Sequence, residues 1–128
     1  MKYSVILVLL AFNASAEVKM NEQCGLQTQV AKESRLSNKI KWKTASEQDN
    51  FGYDIYRANS KEGEYKVINE DTIEGAGTTS TSSSYIYLDD SIDPCKQYYY
   101  YIESIAMDGR REAFTPKFQS KLKINKQK

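Results

Sequence analysis

The sequence predicts an all-β protein, a two-sheet sandwich of about seven short strands. The first indication is residues 98–106, where four consecutive tyrosines lead into alternating side chains. Aromatic residues favour strands, and alternation sends successive side chains to opposite faces of a sheet. The second indication is the same alternation in residues 51–57. The third is the return of turn residues about every dozen positions without a convincing helical pattern.

The first sixteen residues have the features of a secretory signal peptide. Lys2 precedes an apolar run at residues 5–12, and Ala14-Ser15-Ala16 supplies the small residues of a cleavage site. The run is much shorter than the ~20 residues that a membrane-spanning helix needs. We therefore expect cleavage before Glu17, no membrane insertion, and a secreted or periplasmic single domain at residues 17–128, with its core at about residues 26–124.

The first strands of this domain are placed by alternation. We expect one strand within residues 26–32, then a surface turn at residues 31–35, where a helix is the alternative. The next strand falls within residues 36–44, because Ile40 and Trp42 share one face and lysines occupy the other. Trp42, the only tryptophan, should lie at the centre of the core.

The middle of the chain follows the same logic. Residues 45–50 are polar and predict a loop, and the strand after them places Phe51, Tyr53 and Ile55 on one face. A short strand is expected at residues 65–68.

A loop rich in glycine, serine and threonine is expected at residues 75–84, before a strand at residues 85–88. After residue 98 the predicted long strand ends in a hairpin at Asp108-Gly109. The last strand should run through Phe114, break at Pro116 and resume towards Leu122, since proline fits only at an edge or bulge. The core residues expected from all these strands are Trp42, Tyr53, Ile55, Tyr98, Tyr100 and Ile102.

The order of these motifs resembles that of fibronectin type III-like domains of exported bacterial proteins. The resemblance covers residues 30–117 and includes the spacing from Ile92 through Pro94 to Tyr98, which is similar to the E–F corner of that immunoglobulin-like family. There the tyrosine hydroxyl bonds to the backbone just upstream. The resemblance implies a spacer, scaffold or recognition module and carries over no catalytic residue.

Cys24 and Cys95 are the only cysteines, and export exposes them to oxidising conditions. A disulfide within the chain is the first expectation. The resemblance places the two residues at opposite ends of the sandwich, whereas a disulfide needs Cα atoms about 5.5 Å apart. A bridge between chains and two free thiols therefore remain as alternatives.

The sequence contains no recognisable catalytic constellation. The sequence has no histidine, the commonest general base and zinc ligand. Two acidic clusters have the oxygen ligands of a calcium site but no ordered motif, so we interpret them as turn-capping residues. The clusters are Asp89, Asp90 and Asp93, and Glu47, Asp49 and Asp108. We expect no catalytic residue, no cofactor and no metal.

Charge and aromatic residues indicate the kind of partner. Without Lys2, the 18 basic residues become 17 and equal the 17 acidic ones, which argues against nucleic-acid binding. Tyr99 and Tyr101 must face away from the core, together with Tyr56 from the neighbouring strand. This row of outward tyrosines has two explanations. The rings pair across strands on a solvated sheet, or they form a binding face.

We expect an exported, non-catalytic recognition or scaffold module that binds another exported or surface protein through these tyrosines and the loop at residues 78–84. A carbohydrate-binding module that recognises a glycan is the alternative, and a small secreted hydrolase or inhibitor is a more distant one.

Overall fold

A computed structural model describes residues 18–125 of the chain. The predicted signal peptide and the expected cleavage before Glu17 lie outside the described residues. Within residues 18–125, no helix has the length and apolar character required to cross a membrane.

Strands dominate this part of the chain, which confirms the all-β prediction. In chain order the elements are a 3₁₀ turn at Lys32–Ser34 and the strands β1 Asn38–Thr44, β2 Glu47–Ala58, β3 Lys66–Val67, β4 Ile73–Thr79, β5 Ser83–Asp89, β6 Tyr99–Ala106, β7 Arg111–Ala113 and β8 Phe118–Gln119. Of these strands in residues 18–125, β3 and β8 are each two residues long.

The strands form two antiparallel sheets. Among the described residues the first sheet consists of β1 and β5, which pair over their whole lengths with Trp42 opposite Tyr85. In the second sheet β2 and β6 pair at the centre. Both β3 and β4 pair with the other edge of β2, at different stretches, while β7 and β8 share the other edge of β6.

The core lies between the inner faces of the two sheets, which makes the fold a sandwich. All six residues predicted for the core are buried there, together with Ile40 and Ile92. The indole ring of Trp42 reaches from the first sheet to the second, with its centroid 5.4 Å from that of Tyr53, and it stacks on Tyr85 at 5.3 Å.

The prediction of a strand within residues 26–32 is wrong. This segment forms turns, which are followed by the 3₁₀ turn at Lys32–Ser34. The reason is Gln27, which is 2% exposed. Its side-chain amide donates to the backbone oxygens of Leu36 and Asp90, at 2.8 and 3.1 Å, and its Oε1 accepts the Leu36 N–H at 2.8 Å. One side chain thus supplies several of the hydrogen bonds that hold this segment against the rest of the domain.

The structure also corrects the loop at residues 45–50 and the position of Phe51. Strand β2 already begins at Glu47, and Phe51 is 51% exposed instead of buried. Asn50 pairs with Ala106 and Gly52 with Ile105, so Phe51 is the extra residue of a β-bulge. A Cβ at Gly52 would collide with the backbone oxygen of Ile73, so this close approach of strands requires glycine.

Two further stretches differ from the prediction. The expected loop at residues 75–84 is mostly strand, because β4 extends to Thr79 and β5 begins at Ser83. Near the end of the chain, β7 stops before Phe114, and β8 resumes only for residues 118–119. Pro116 lies in the interruption, as expected for a residue without a backbone N–H.

The corner before β6 has the predicted hydrogen bond. The backbone N–H of Asp93 donates to the hydroxyl oxygen of Tyr98 at 2.8 Å. The C-terminal segment returns to the same corner, where the N–H groups of Lys123 and Ile124 both donate to the oxygen of Pro94, at 3.0 and 2.9 Å.

Cys24 and Cys95 form a disulfide within the chain, with their Cα atoms 5.3 Å apart. This confirms the expected disulfide within the chain. The predicted placement of the two cysteines at opposite ends of the sandwich is wrong. The segment before β1 runs beside the corner, where the Gly25 N–H donates to Asp93 Oδ1 at 2.9 Å. A disulfide is compatible with an extracellular protein.

Candidate binding face

The tyrosines predicted to face outward lie together on the second sheet. Tyr56 of β2 is the direct cross-strand partner of Tyr101 of β6. Their rings are stacked, with centroids 4.8 Å apart and planes only 1° from parallel. This is the cross-strand aromatic pairing that stabilises sheets, and both residues remain partly exposed.

A third ring, Tyr65, extends this pair and was missing from the predicted site. Its centroid lies 5.3 Å from that of Tyr101, at a tilt of 56°. Tyr65 directly precedes β3 and lies two residues before Val67, which pairs with Tyr56. Because side chains alternate along an extended chain, Tyr65 is on the same face of the sheet as Tyr56. We call Tyr56, Tyr65, Tyr99 and Tyr101 the tyrosine face. Tyr99 is partly exposed, and its cross-strand partners are Ala58 of β2 and Gln119 of β8.

Charged side chains fix one end of the tyrosine face. The Tyr56 hydroxyl donates to Glu103 Oε1 at 2.9 Å. Arg111 Nη1 donates to the same oxygen at 2.8 Å and to Asp54 Oδ2 at 2.9 Å. Asp54 is the cross-strand partner of Glu103 on the same side of the sheet, is 7% exposed, and accepts from Asn69 and Thr72 at its Oδ1. The ring of Tyr56 is therefore held from two sides, by Tyr101 and by a carboxylate that is itself anchored.

The network shifts the pKa values of its members. Burial raises the pKa of Tyr56, and so does its hydrogen bond to Glu103, so the phenol stays protonated. Burial alone would raise the pKa of Asp54, but hydrogen bonds from Asn69, Arg111 and Thr72 outweigh it and lower that pKa below its ordinary value of 3.8. Asp54 is thus an ionised, buried acceptor.

We expect Asp54→Asn to lower the free energy of unfolding at neutral pH by about 1 to 3 kcal/mol, because hydrogen bonds to a buried charge are lost. A carboxyl group whose pKa is lowered by folding stabilises the protein above its unfolded pKa, and the contribution is lost as pH falls through the folded value. The difference between wild type and variant should therefore shrink on acidification. Urea unfolding across the acid range measures it.

Glu70→Gln is the matched control, since Glu70 is exposed. Its effect should be small at every pH. A difference between Asp54→Asn and wild type that stays constant down to about pH 2 would contradict the assignment of the charged form to Asp54.

An open depression of about 590 Å³ adjoins the tyrosine face. It lies between Tyr65 and Tyr101 on one side and the segment from Arg111 to Lys117 on the other. Lys117 Nζ lies 4.9 Å from the centroid of the Tyr65 ring, and Lys117 Nζ also donates to the Lys61 oxygen at 3.3 Å. The depression is therefore lined by two aromatic rings and by charged groups of both signs.

The carboxylates of the two acidic clusters have separate structural partners. Asp89, 1% exposed, accepts from Arg57 and from the Tyr100 hydroxyl, at 2.9 and 2.6 Å. Asp93 caps the turn containing Cys95, whose N–H it accepts at 2.9 Å. Asp90 pairs loosely with Arg35 at 3.6 Å.

In the second cluster, Glu47 accepts from Thr44, Asn50 and Tyr85 and from the Ala76 N–H. Asp108 bonds to Arg110 in the hairpin. In residues 18–125, one group combines three metal-type ligands at close range, Cys24, Asp93 and Cys95, and its two sulfur atoms are joined in the disulfide.

The hydroxyl-rich stretch from Thr78 to Ser84 is not near the tyrosine face in the sheet. It is divided between β4, a short turn and β5, and Thr79 of β4 pairs with Glu47 at the start of β2, nine residues before Tyr56 on the same strand. Thr78 Oγ1 accepts the N–H of Asp49, whose φ of 48° lies in the left-handed region. The structure thus separates the two surfaces that the sequence analysis had combined.

Comparisons of the chain with protein-family models, with curated proteins and with solved structures found no match.

Proposed function

We propose that this protein is an exported, non-catalytic recognition or scaffold module that binds another protein through the tyrosine face. The observation that carries the proposal is the stacked pair of Tyr56 and Tyr101, extended by Tyr65 and bordered by Arg111 and Lys117. Tyrosine and arginine are among the residue types enriched in protein interfaces.

The rigidity of the face supports this role. Tyr56 is fixed by ring stacking and by its hydrogen bond to Glu103, and Tyr101 contacts rings from two other segments. Side chains that are already ordered lose little entropy when a partner covers them. Tyrosine also has an apolar ring with a polar hydroxyl, so it can bury area and still bind water or a partner at its tip.

The ring orientations favour a protein over a glycan as the partner. A sugar stacks on a free, flat aromatic face. Here the facing sides of Tyr56 and Tyr101 cover each other, and Lys117 lies over the Tyr65 ring. The depression offers a peptide side chain mixed apolar and charged surroundings, as in protein interfaces.

The fibronectin type III-like identity and the export of the chain belong to the same proposal. The Asp93 to Tyr98 hydrogen bond and the two-sheet topology support the identity. The disulfide between Cys24 and Cys95 supports export, because such bonds persist in oxidising compartments. In that family the fold is a spacer, a scaffold or a recognition module.

The test is capture of partners by the purified mature chain from the native envelope or culture medium, followed by affinity measurement with the captured protein. We expect Tyr101→Ala to weaken binding by about 30-fold or more, since a central interface tyrosine costs about 2 kcal/mol on truncation. The Tyr99→Ala/Tyr101→Ala double variant should bind no better.

Phe51→Ala is the control, because Phe51 is an exposed aromatic residue outside the tyrosine face. It should bind like wild type. Unchanged binding by a folded Tyr101→Ala variant would remove the tyrosine face from the proposal. Strong signals on a glycan array without any protein partner would favour a carbohydrate-binding module instead.

A further inference from the structure

In the part of the chain that the structure describes, strand β5 has a neighbour on one side only. It pairs with β1 through seven residue pairs, from Ser83 opposite Thr44 to Asp89 opposite Asn38. Within residues 18–125, no other strand pairs with it. The backbone N–H and C=O groups that point away from β1 therefore form an open edge, which is a template for another strand.

This edge lacks the features that usually protect an edge strand. Residues 83–88 contain no charge, no proline and no glycine. Ile86 and Leu88 are 53% and 54% exposed on the outer face of the sheet. Short uncharged segments of high β propensity pair readily with other chains.

The other strand of the same sheet is protected. On β1, Lys39, Lys41 and Lys43 are exposed on the outer face. Lysines at an edge oppose pairing, because a second β1 would place like charges against them. The sheet thus has one edge that repels a copy of itself and one edge that does not.

We propose that β5 pairs in antiparallel fashion with β5 of a second copy of this chain, centred on Ile86, to form a continuous β1–β5–β5–β1 sheet. Two identical strands related by a two-fold axis are self-complementary. Centring on Ile86, the middle residue of Ser83–Asp89, pairs the whole strand. It places Ile86 opposite Ile86 and Ser84 opposite Leu88, so the exposed aliphatic side chains of the two copies become neighbours.

Charge does not oppose this arrangement. The one acidic residue of β5, Asp89, is buried and paired with Arg57 of its own chain. The two β1 strands would be separated by three strand spacings of about 4.8 Å, roughly 14 Å. That exceeds the Debye length of about 8 Å at physiological ionic strength, so repulsion between the two rows of lysines is screened.

The first test is cross-linking of Ile86→Cys in the otherwise unchanged chain. Cys24 and Cys95 are joined to each other, so the added thiol is the free one among residues 18–125. We expect a disulfide-linked dimer in an oxidised glutathione buffer, because the two Ile86 positions face each other across the proposed axis. Lys41→Cys is the control: it lies opposite Ile86 within the chain, on the same outer face, and should stay monomeric.

The second test fixes the register and does not depend on residue 86. A mixture of Ser84→Cys and Leu88→Cys chains should form the mixed dimer in large excess over either homodimer. No cross-link at Ile86→Cys, or equal cross-linking of Ile86→Cys and Lys41→Cys, would overturn the proposal. Homodimers of Ser84→Cys and Leu88→Cys in place of the mixed dimer would overturn the register centred on Ile86.

Discussion

Trp42→Ala should lower the free energy of unfolding by about 3 to 5 kcal/mol, the range for removing a large aromatic side chain from a core. Trp42 of β1 is 8% exposed. Its ring contacts Tyr53 of β2 in the second sheet and Tyr85 of the neighbouring strand β5. Truncation leaves a cavity between the sheets that these two rings cannot fill without moving. Equilibrium urea unfolding, followed by tyrosine fluorescence and circular dichroism, measures the loss.

Phe51→Ala again serves as the comparison, because it removes a large aromatic side chain that is half exposed on a bulge. Its cost should be within about 0.5 kcal/mol, as for surface substitutions. A loss below about 1 kcal/mol for Trp42→Ala would mean that this residue does not connect the two sheets. Similar losses for both variants would mean that the bulge at Phe51 is packed in solution.

The core of this fold is predictable from the sequence because alternation is a local signal. In β1, Ile40 and Trp42 alternate with lysines, and in β6, Tyr100 and Ile102 alternate with Tyr101 and Glu103. Each pattern needs only one face of a strand to be buried. The buried face was therefore assigned correctly without knowing which strand was the neighbour.

Phe51 shows where this local reasoning fails. Alternation from Tyr53 backwards places Phe51 on the core face, but the bulge inserts one residue and reverses the faces before Gly52. The bulge depends on the close approach of Ile73 to Gly52, a contact between residues distant in sequence. A glycine inside an alternating strand was the one local sign of it.

The strand prediction for the segment before β1 fails for a related reason. Leu26, Thr28 and Val30 alternate like a strand, but the Val30 N–H donates to the backbone oxygen of Gln27 in a turn, and the Gln27 side chain bonds to the backbone of Leu36. The partners of Gln27 include the oxygens of Asp90 and Ile92, more than sixty positions away. No local pattern indicates such a side-chain contact, and without it the position of Cys24 could not be predicted.

The tyrosine face was partly predictable. The outward position of three side chains follows from alternation along β2 and β6: Tyr56, Tyr99 and Tyr101. Tyr65 directly precedes β3, a strand of only two residues, and the register of β3 with β2 is required to place the Tyr65 ring against Tyr101. The charged border of Arg111 and Lys117 likewise depends on how β7 and the segment after it pair with β6.

Replacing both Cys24 and Cys95 with alanine should lower the free energy of unfolding by about 4 kcal/mol. The disulfide joins residues 71 positions apart, and in the chain-entropy model a loop of that size restricts the unfolded chain by about this amount. The far-UV circular dichroism spectrum should be unchanged, because no strand contains either cysteine. Urea unfolding of the variant and of wild type, with and without a reducing agent, measures the loss.

A double-mutant cycle with Gln27→Ala distinguishes two effects of the disulfide: restriction of the unfolded chain, and docking of the segment before β1 in the folded state. If the disulfide acts on the unfolded chain, the segment stays docked without it, since Gln27 keeps its bonds to Leu36 and Asp90. Gln27→Ala should then cost the same free energy of unfolding with and without the disulfide, within about 0.5 kcal/mol. If its cost disappears in the alanine background, the disulfide holds the segment in the folded state, and the entropic account fails.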